Sequence, residues 1–135
     1  MAVNNVQGPI DIAVSGLRAQ AARMRVIAGN VANASTSRTE SGQPYRRRQV
    51  ILATDDKALA GVRVGGVVPD VVHPFKGVYM PGHPDADETG FVQMPNVDVP
   101  VEMMDMIVAS RAYQANAAML KRYQDMVSAA LELLR

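Results

Sequence analysis

The stretch VEMMDMIVASRAYQANAAMLKRYQDMVSAALELLR (residues 101–135) decides the fold. It contains neither Gly nor Pro and is rich in helix formers. One helix of roughly 50 Å is therefore allowed at 1.5 Å per residue. Met106, Tyr113, Leu120, Val127 and Leu134 form a strict seven-residue row, the spacing of a helix-packing seam. A second apolar row runs through Val101, Met104, Val108, Ala112, Ala115, Met119, Met126, Ala130 and Leu133. Two apolar faces on so long a helix must be covered on two sides, by more surface than this chain can supply. Glu102, Asp105, Arg111, Lys121, Arg122 and Asp125 interrupt every window of membrane-spanning length, which excludes insertion into a bilayer. Burial against copies of itself or against partner chains remains. The methionines Met103, Met104, Met106, Met119 and Met126 suit contacts with inequivalent neighbours, because thioether side chains adapt to irregular surfaces.

Working outward, residues 9–34 repeat the pattern. Ile10, Leu17, Met24 and Val31 recur every seven residues, with Ala13, Gln20, Ile27 and Ala34 three positions on. Pro9 and Pro100 stand where first-turn helix residues are expected, since the missing N–H has no intrahelical partner there. Six of the eight prolines and seven of the ten glycines fall between Ser35 and Asp98. The order is thus helix, irregular β-rich middle, helix. The fold class is α+β: two long terminal helices forming an antiparallel coiled coil, with a small β-rich insertion between them. The corresponding division is residues 1–34 with 97–135 for the coiled coil, and 35–96 for the insertion. Within the insertion, residues 35–44 read as an exposed loop. Residues 46–53, 61–68, 75–80 and 91–94 read as short strands, confined by prolines to edges and hairpins.

Two amides sit in the apolar seams, Gln20 and Asn116. A lone amide there penalises wrong registers, because misalignment leaves it unpaired. The expected antiparallel pairing sets Gln20 beside Asn116, Ile10 toward Met126 and Val31 toward Met106.

The composition excludes several functions. With 14 Lys+Arg against 13 Asp+Glu, the chain is no generic polyanion binder. Without Cys it can form neither disulfides nor thiolate metal sites. Arg46, Arg47 and Arg48 are the one charge run, but three consecutive strand residues alternate faces, so no more than two share a surface. A solvated edge or an acidic partner surface is the preferred reading over nucleic-acid binding, which needs a larger patch or interleaved aromatics. Asp85, Asp87, Thr89 and Gly90 imitate the opening of a calcium loop, yet the twelfth position is Asn96, which lacks the bidentate carboxylate such loops use. His73 and His83 have no HExxH pattern or third ligand. An Asx-rich turn stiffened by Pro is preferred there. No Walker loop, GxGxxG or nucleophile elbow occurs. No catalytic residue, metal or cofactor site is expected.

Two segments carry a resemblance. IAVSGLRAQAARMRVIAGNVANAST (residues 12–36), with Ser15-Gly16-Leu17, Asn30, Ala32-Asn33 and Thr36, resembles the N-terminal signature of the bacterial flagellar axial proteins. PNVDVPVEMMDMIVASRAYQAN (residues 95–116) is similar to the matching C-terminal signature. PYRRRQV (residues 44–50) and YMPGHPDADETGFV (residues 79–92) resemble the small rod subunits within that family. One departure is Gly29, where relatives usually carry Asn; Gly there weakens a last helical turn.

The resemblance implies a structural subunit whose terminal helices form a coiled coil in the inner tube of the rod, with the β-rich middle making outer contacts. It implies export without a cleaved signal and a place in the periplasm-spanning drive shaft. The implied partners are other copies of itself, other rod proteins, the membrane ring and the export apparatus, with no nucleic acid. The expected interface residues are Ile10, Leu17, Gln20, Met24, Ile27, Asn30, Val31, Asn33, Met104, Met106, Tyr113, Asn116, Leu120, Val127 and Leu134. The free subunit is expected to be monomeric with frayed termini that order on assembly. The alternative reading is a non-flagellar homo-oligomeric helical adaptor with a small β module.

Overall fold

A computed structural model describes residues 8–55 and 61–133. Helix α1 spans Pro9–Ala32, and helix α2 spans Val99–Glu132. Between them lie strands β1 (Arg48–Thr54), β2 (Val62–Pro69), β3 (Lys76–Tyr79) and β4 (Phe91–Met94). The α+β architecture matches the expectation. Among the described residues the β element is two antiparallel two-stranded ribbons, β1 with β2 and β3 with β4. The prolines in the connections and the short strand lengths keep the ribbons from extending. Between Ile51 and Leu52 the β1–β2 register shifts, leaving Gly65 without a partner across the ribbon. Such a bulge bends a ribbon, and Gly accommodates it.

The helix ends follow from their residues. Pro9 opens α1, and the Asp11 carboxylate accepts from the Gly8 N–H. The Asp98 carboxylate accepts from the Val101 N–H at the start of α2. Gly29 does not end α1, which continues to Ala32. The reason is a cap supplied from beyond the helix: both the backbone N–H and the side-chain amide of Asn33 donate to the Gly29 carbonyl, at 3.1 and 2.8 Å. Residues 35–44 form the expected loop, which is half-buried at Thr36, Ser37, Thr39 and Pro44 and exposed elsewhere.

The two helices run antiparallel along a seam that buries Ala13 and Ile27 of α1 and Ala109 of α2, while Ala19 lies buried on the side of α1 toward β2. Small residues let the backbones approach closely. At Gly16 a Cβ would lie 2.8 Å from the Asn116 amide nitrogen. The expected level of Asn116 with Gln20 is therefore corrected: Asn116 abuts a residue four positions, about one turn, before Gln20. The Gln20 amide oxygen is left buried without a hydrogen-bond partner among the described residues. In this register Pro9 and Tyr123 line the same groove, so the last turns of α2 run past the start of α1.

Candidate functional site

Two features bear on function: a buried polar cluster that holds the ribbon against the helices, and an uncovered face of α2.

The cluster begins with Asn30, which is 1% exposed. Its side-chain nitrogen donates to the Arg48 carbonyl and to Glu102, both at 2.9 Å. Its side-chain oxygen accepts from the Arg48 N–H at 2.9 Å and the Tyr45 hydroxyl at 3.0 Å. Asn30 thus acts as an added rung beside β1 while tying α1 to α2. Burial pushes the Tyr45 hydroxyl above its ordinary range, and the Arg48 charge opposes that shift.

Glu102 is fully buried and pairs with Arg47 through Nε. The same guanidinium reaches Asp105 at 3.4 Å and Asp70 at 3.7 Å, and Asp105 also holds Arg23 at 3.2 Å. The preferred reading of the arginine run as a solvated edge or an acidic partner surface is corrected for its middle member. Arg47, just before β1, turns inward, while Arg46 lies over the Phe75 ring, 4.2 Å from its centroid, and Arg48 over Tyr45 at 5.9 Å. Sequence reasoning missed the Arg47–Glu102 pair. The available signal was an acid in the first turn of α2 on the face toward α1, but its partner lies 55 positions away.

Asn96 and Asp70 close the far side of the cluster. Asn96 accepts from the Arg47 N–H at 2.8 Å and donates to the Asp70 and His73 carbonyls, both at 3.1 Å. The Asp70 carboxyl is held below its ordinary range. Burial alone would raise it, but hydrogen bonds from the His73 ring and from the His73 and Val72 N–H groups outweigh that. In the 82–90 loop the expected turn forms. Asp87 accepts from the Thr89 hydroxyl and from the Thr89 and Phe91 N–H groups, and these bonds lower its pKa. Asp85 accepts from the Ser37 hydroxyl at 2.8 Å and Arg38 at 3.4 Å, which lowers its pKa too. Both carboxylates are engaged within the chain.

The candidate interface residues divide. Ile27 and Asn30 are buried inside the chain. Asn33 is held by its cap to Gly29 and accepts from the Thr36 hydroxyl at 3.3 Å. Leu17, Gln20, Met24, Val31, Met106, Asn116 and Leu120 are half-buried along the two helices. Ile10, Met104, Tyr113 and Val127 stay exposed. Leu134 lies outside the described residues. Alongside Met104, the exposed apolar residues of α2 include Val101, Val108, Met119 and Met126, the second row expected from the sequence. No helix among the described residues is long and apolar enough to cross a membrane.

Fold and faces are those of an assembly subunit. The family described as flagella basal body rod protein matches residues 10–38, and the C-terminal family of the flagellar basal body rod FlgEFG proteins matches residues 88–133. The chain is similar to the flagellar basal-body rod protein FlgC of Salmonella typhimurium, at 44% identity over 98% of both chains. It is similar to the FlgC of Borreliella burgdorferi at 40% identity, covering 93% of this chain and 95% of the relative. The FlgC of Bacillus subtilis is 34% identical, covering 92% and 95%. The chain belongs to the FlgC family of flagellar basal-body rod proteins. It is a structural rod subunit of the basal body, and the helical-adaptor reading is not favoured.

Proposed function

We propose that the chain is a tile of the proximal rod, in the periplasm-spanning drive shaft that transmits torque and encloses the export channel. The observation that carries this is the exposed apolar row of α2 through Val101, Met104 and Val108, continued by Met119 and Met126 at the rim of the groove shared with Ile10 and Ile12 of α1. A helix with one covered and one open apolar face needs a neighbouring chain, and heterologous contacts of this kind build open helical assemblies. The neighbours are further copies of this chain and other rod proteins, with the membrane ring outside and the export apparatus at the base. On this reading residues 1–34 and 97–135 form the inner tube, while residues 35–96 make the outer contacts. The Arg47–Glu102 cluster supplies stiffness between the two. Export proceeds without a cleaved signal, and no reaction is catalysed.

A density map of basal bodies purified from cells carrying the chain tests this. The expected result is α1 and α2 lining the rod lumen with the exposed row of α2 against adjacent subunits. Helices on the outer surface, or basal bodies lacking the chain, would overturn it.

A further inference from the structure

In the observed helix pair Asn30 bonds Glu102 and Gly16 faces Asn116. Fourteen positions separate these two levels on each helix, so both belong to one register. That register leaves the seven-residue rows mismatched. The α1 row from Ile10 to Val31 and the α2 row from Met106 to Val127 contain no buried residue: Ile10, Tyr113 and Val127 are exposed and the others half-buried. The Gln20 amide oxygen is also left buried without a hydrogen-bond partner among the described residues. Moving α2 by four positions toward the end of α1, about 6 Å, sets the two rows against each other and brings Gln20 level with Asn116.

The cost of that move falls on one cluster. It carries Glu102 past Asn30, puts Met106 at the Asn30 level, and strips Arg47 of its buried carboxylate. The bonds from Asp105 to Arg23 and Arg47 are lost with it. The seam itself offers little resistance, since Ala13, Gly16 and Ala109 carry no long side chain into it. Asn96 can keep its bonds to the Arg47 N–H and to the Asp70 and His73 carbonyls. The first turn of α2, residues 99–102, unwinds to take up the four residues.

We propose that α1 and α2 form a pair with two registers, and that the Asn30–Arg47–Glu102 cluster is the latch that selects the observed one. With the latch intact, the buried charge pair outweighs the mismatched rows and the orphaned amide. With the latch removed, α2 slides by one turn, the rows close on each other, and Asn116 donates to the Gln20 oxygen. A one-turn ratchet of one element past another is a known form of two-state switching. The slide is a property of the single chain and does not depend on the rod.

The chain has no Cys, so introduced pairs report without interference. Ile10→Cys with Tyr123→Cys joins residues that line one groove in the observed register. Ile10→Cys with Val127→Cys joins positions that meet after the slide. Disulfide yield in a glutathione buffer is measured for each pair in the purified full chain, with the latch intact and with Arg47→Met and Glu102→Met. The expected result is a ratio of the 10–127 to the 10–123 disulfide at least tenfold higher without the latch. An unchanged ratio in the folded double variant would overturn the inference. Circular dichroism reports whether that variant folds. If it does not, Glu102→Gln decides in the same cysteine pairs, because it keeps the side-chain shape and removes the charge. A severalfold rise in the ratio then supports the latch, and an unchanged ratio refutes it.

Discussion

Arg47 and Glu102, 55 positions apart in the chain, form an ion pair whose carboxylate is wholly buried between α1, β1 and α2. Removing one partner leaves a charge with part of its solvation unreplaced. Glu102→Ala should cost about 3–5 kcal/mol, while Glu102→Met with Arg47→Met together should recover much of the loss. Urea unfolding of the four members of that cycle measures it. Purely additive losses would show that the pair is not coupled.

Gly16 faces the Asn116 side chain, whose amide must shift to admit a Cβ. Gly16→Ala should destabilise the helix pair by about 1–3 kcal/mol through overpacking. Asn116→Ala in the same chain should relieve most of it, as thermal melts of the single and double variants would reveal.

Gln20 buries an amide oxygen that has no partner among the described residues. Gln20→Met keeps similar volume and removes that orphan, so it should raise stability by about 1 kcal/mol. A melting temperature at or below that of the unsubstituted chain would contradict this.

Gly29 lies inside α1 with open space around its Cα. Gly29→Ala should stabilise the chain by about 0.5–1 kcal/mol through helix propensity, a gain that chemical denaturation can resolve.

Asp70 carries a depressed pKa in the fold. Its contribution is complete above the unfolded value of about 3.9 and is lost as pH falls through the lower folded value. Stability should stay level above about pH 5 and decline below about pH 4. Asp85 and Asp87 act in the same direction, so Asp70→Asn should flatten only part of the slope in a pH series of urea midpoints.

The helices and their apolar rows were legible because periodicity is local information. Pro9–Ala32 and Val99–Glu132 depart by only a few residues from the expected spans. The strands were legible to within two residues for the same reason, helped by the prolines that bound them. Register was not legible. The amide pattern suggested Gln20 against Asn116, but the close approach at Gly16 and the bond from Asn30 to Glu102 set α2 about one turn away. The inward turn of Arg47 was half legible. Alternation required the three arginines to divide between faces, but which face was the interior depended on Glu102, far along the chain.

The bond between Asn30 and Glu102 spans 72 positions, and this separation governs the order of folding. Closing so long a loop is entropically slow, and its reward arrives only when both ends are present. A fragment ending before residue 102 would leave Asn30 and Arg47 without the carboxylate that joins them. Such a fragment should keep local helix and lose the cooperative unfolding transition of the whole chain, as denaturant titration followed by circular dichroism would show. The subunit therefore commits to its structure late, after three quarters of its residues are available, and a partly released chain remains pliable until then.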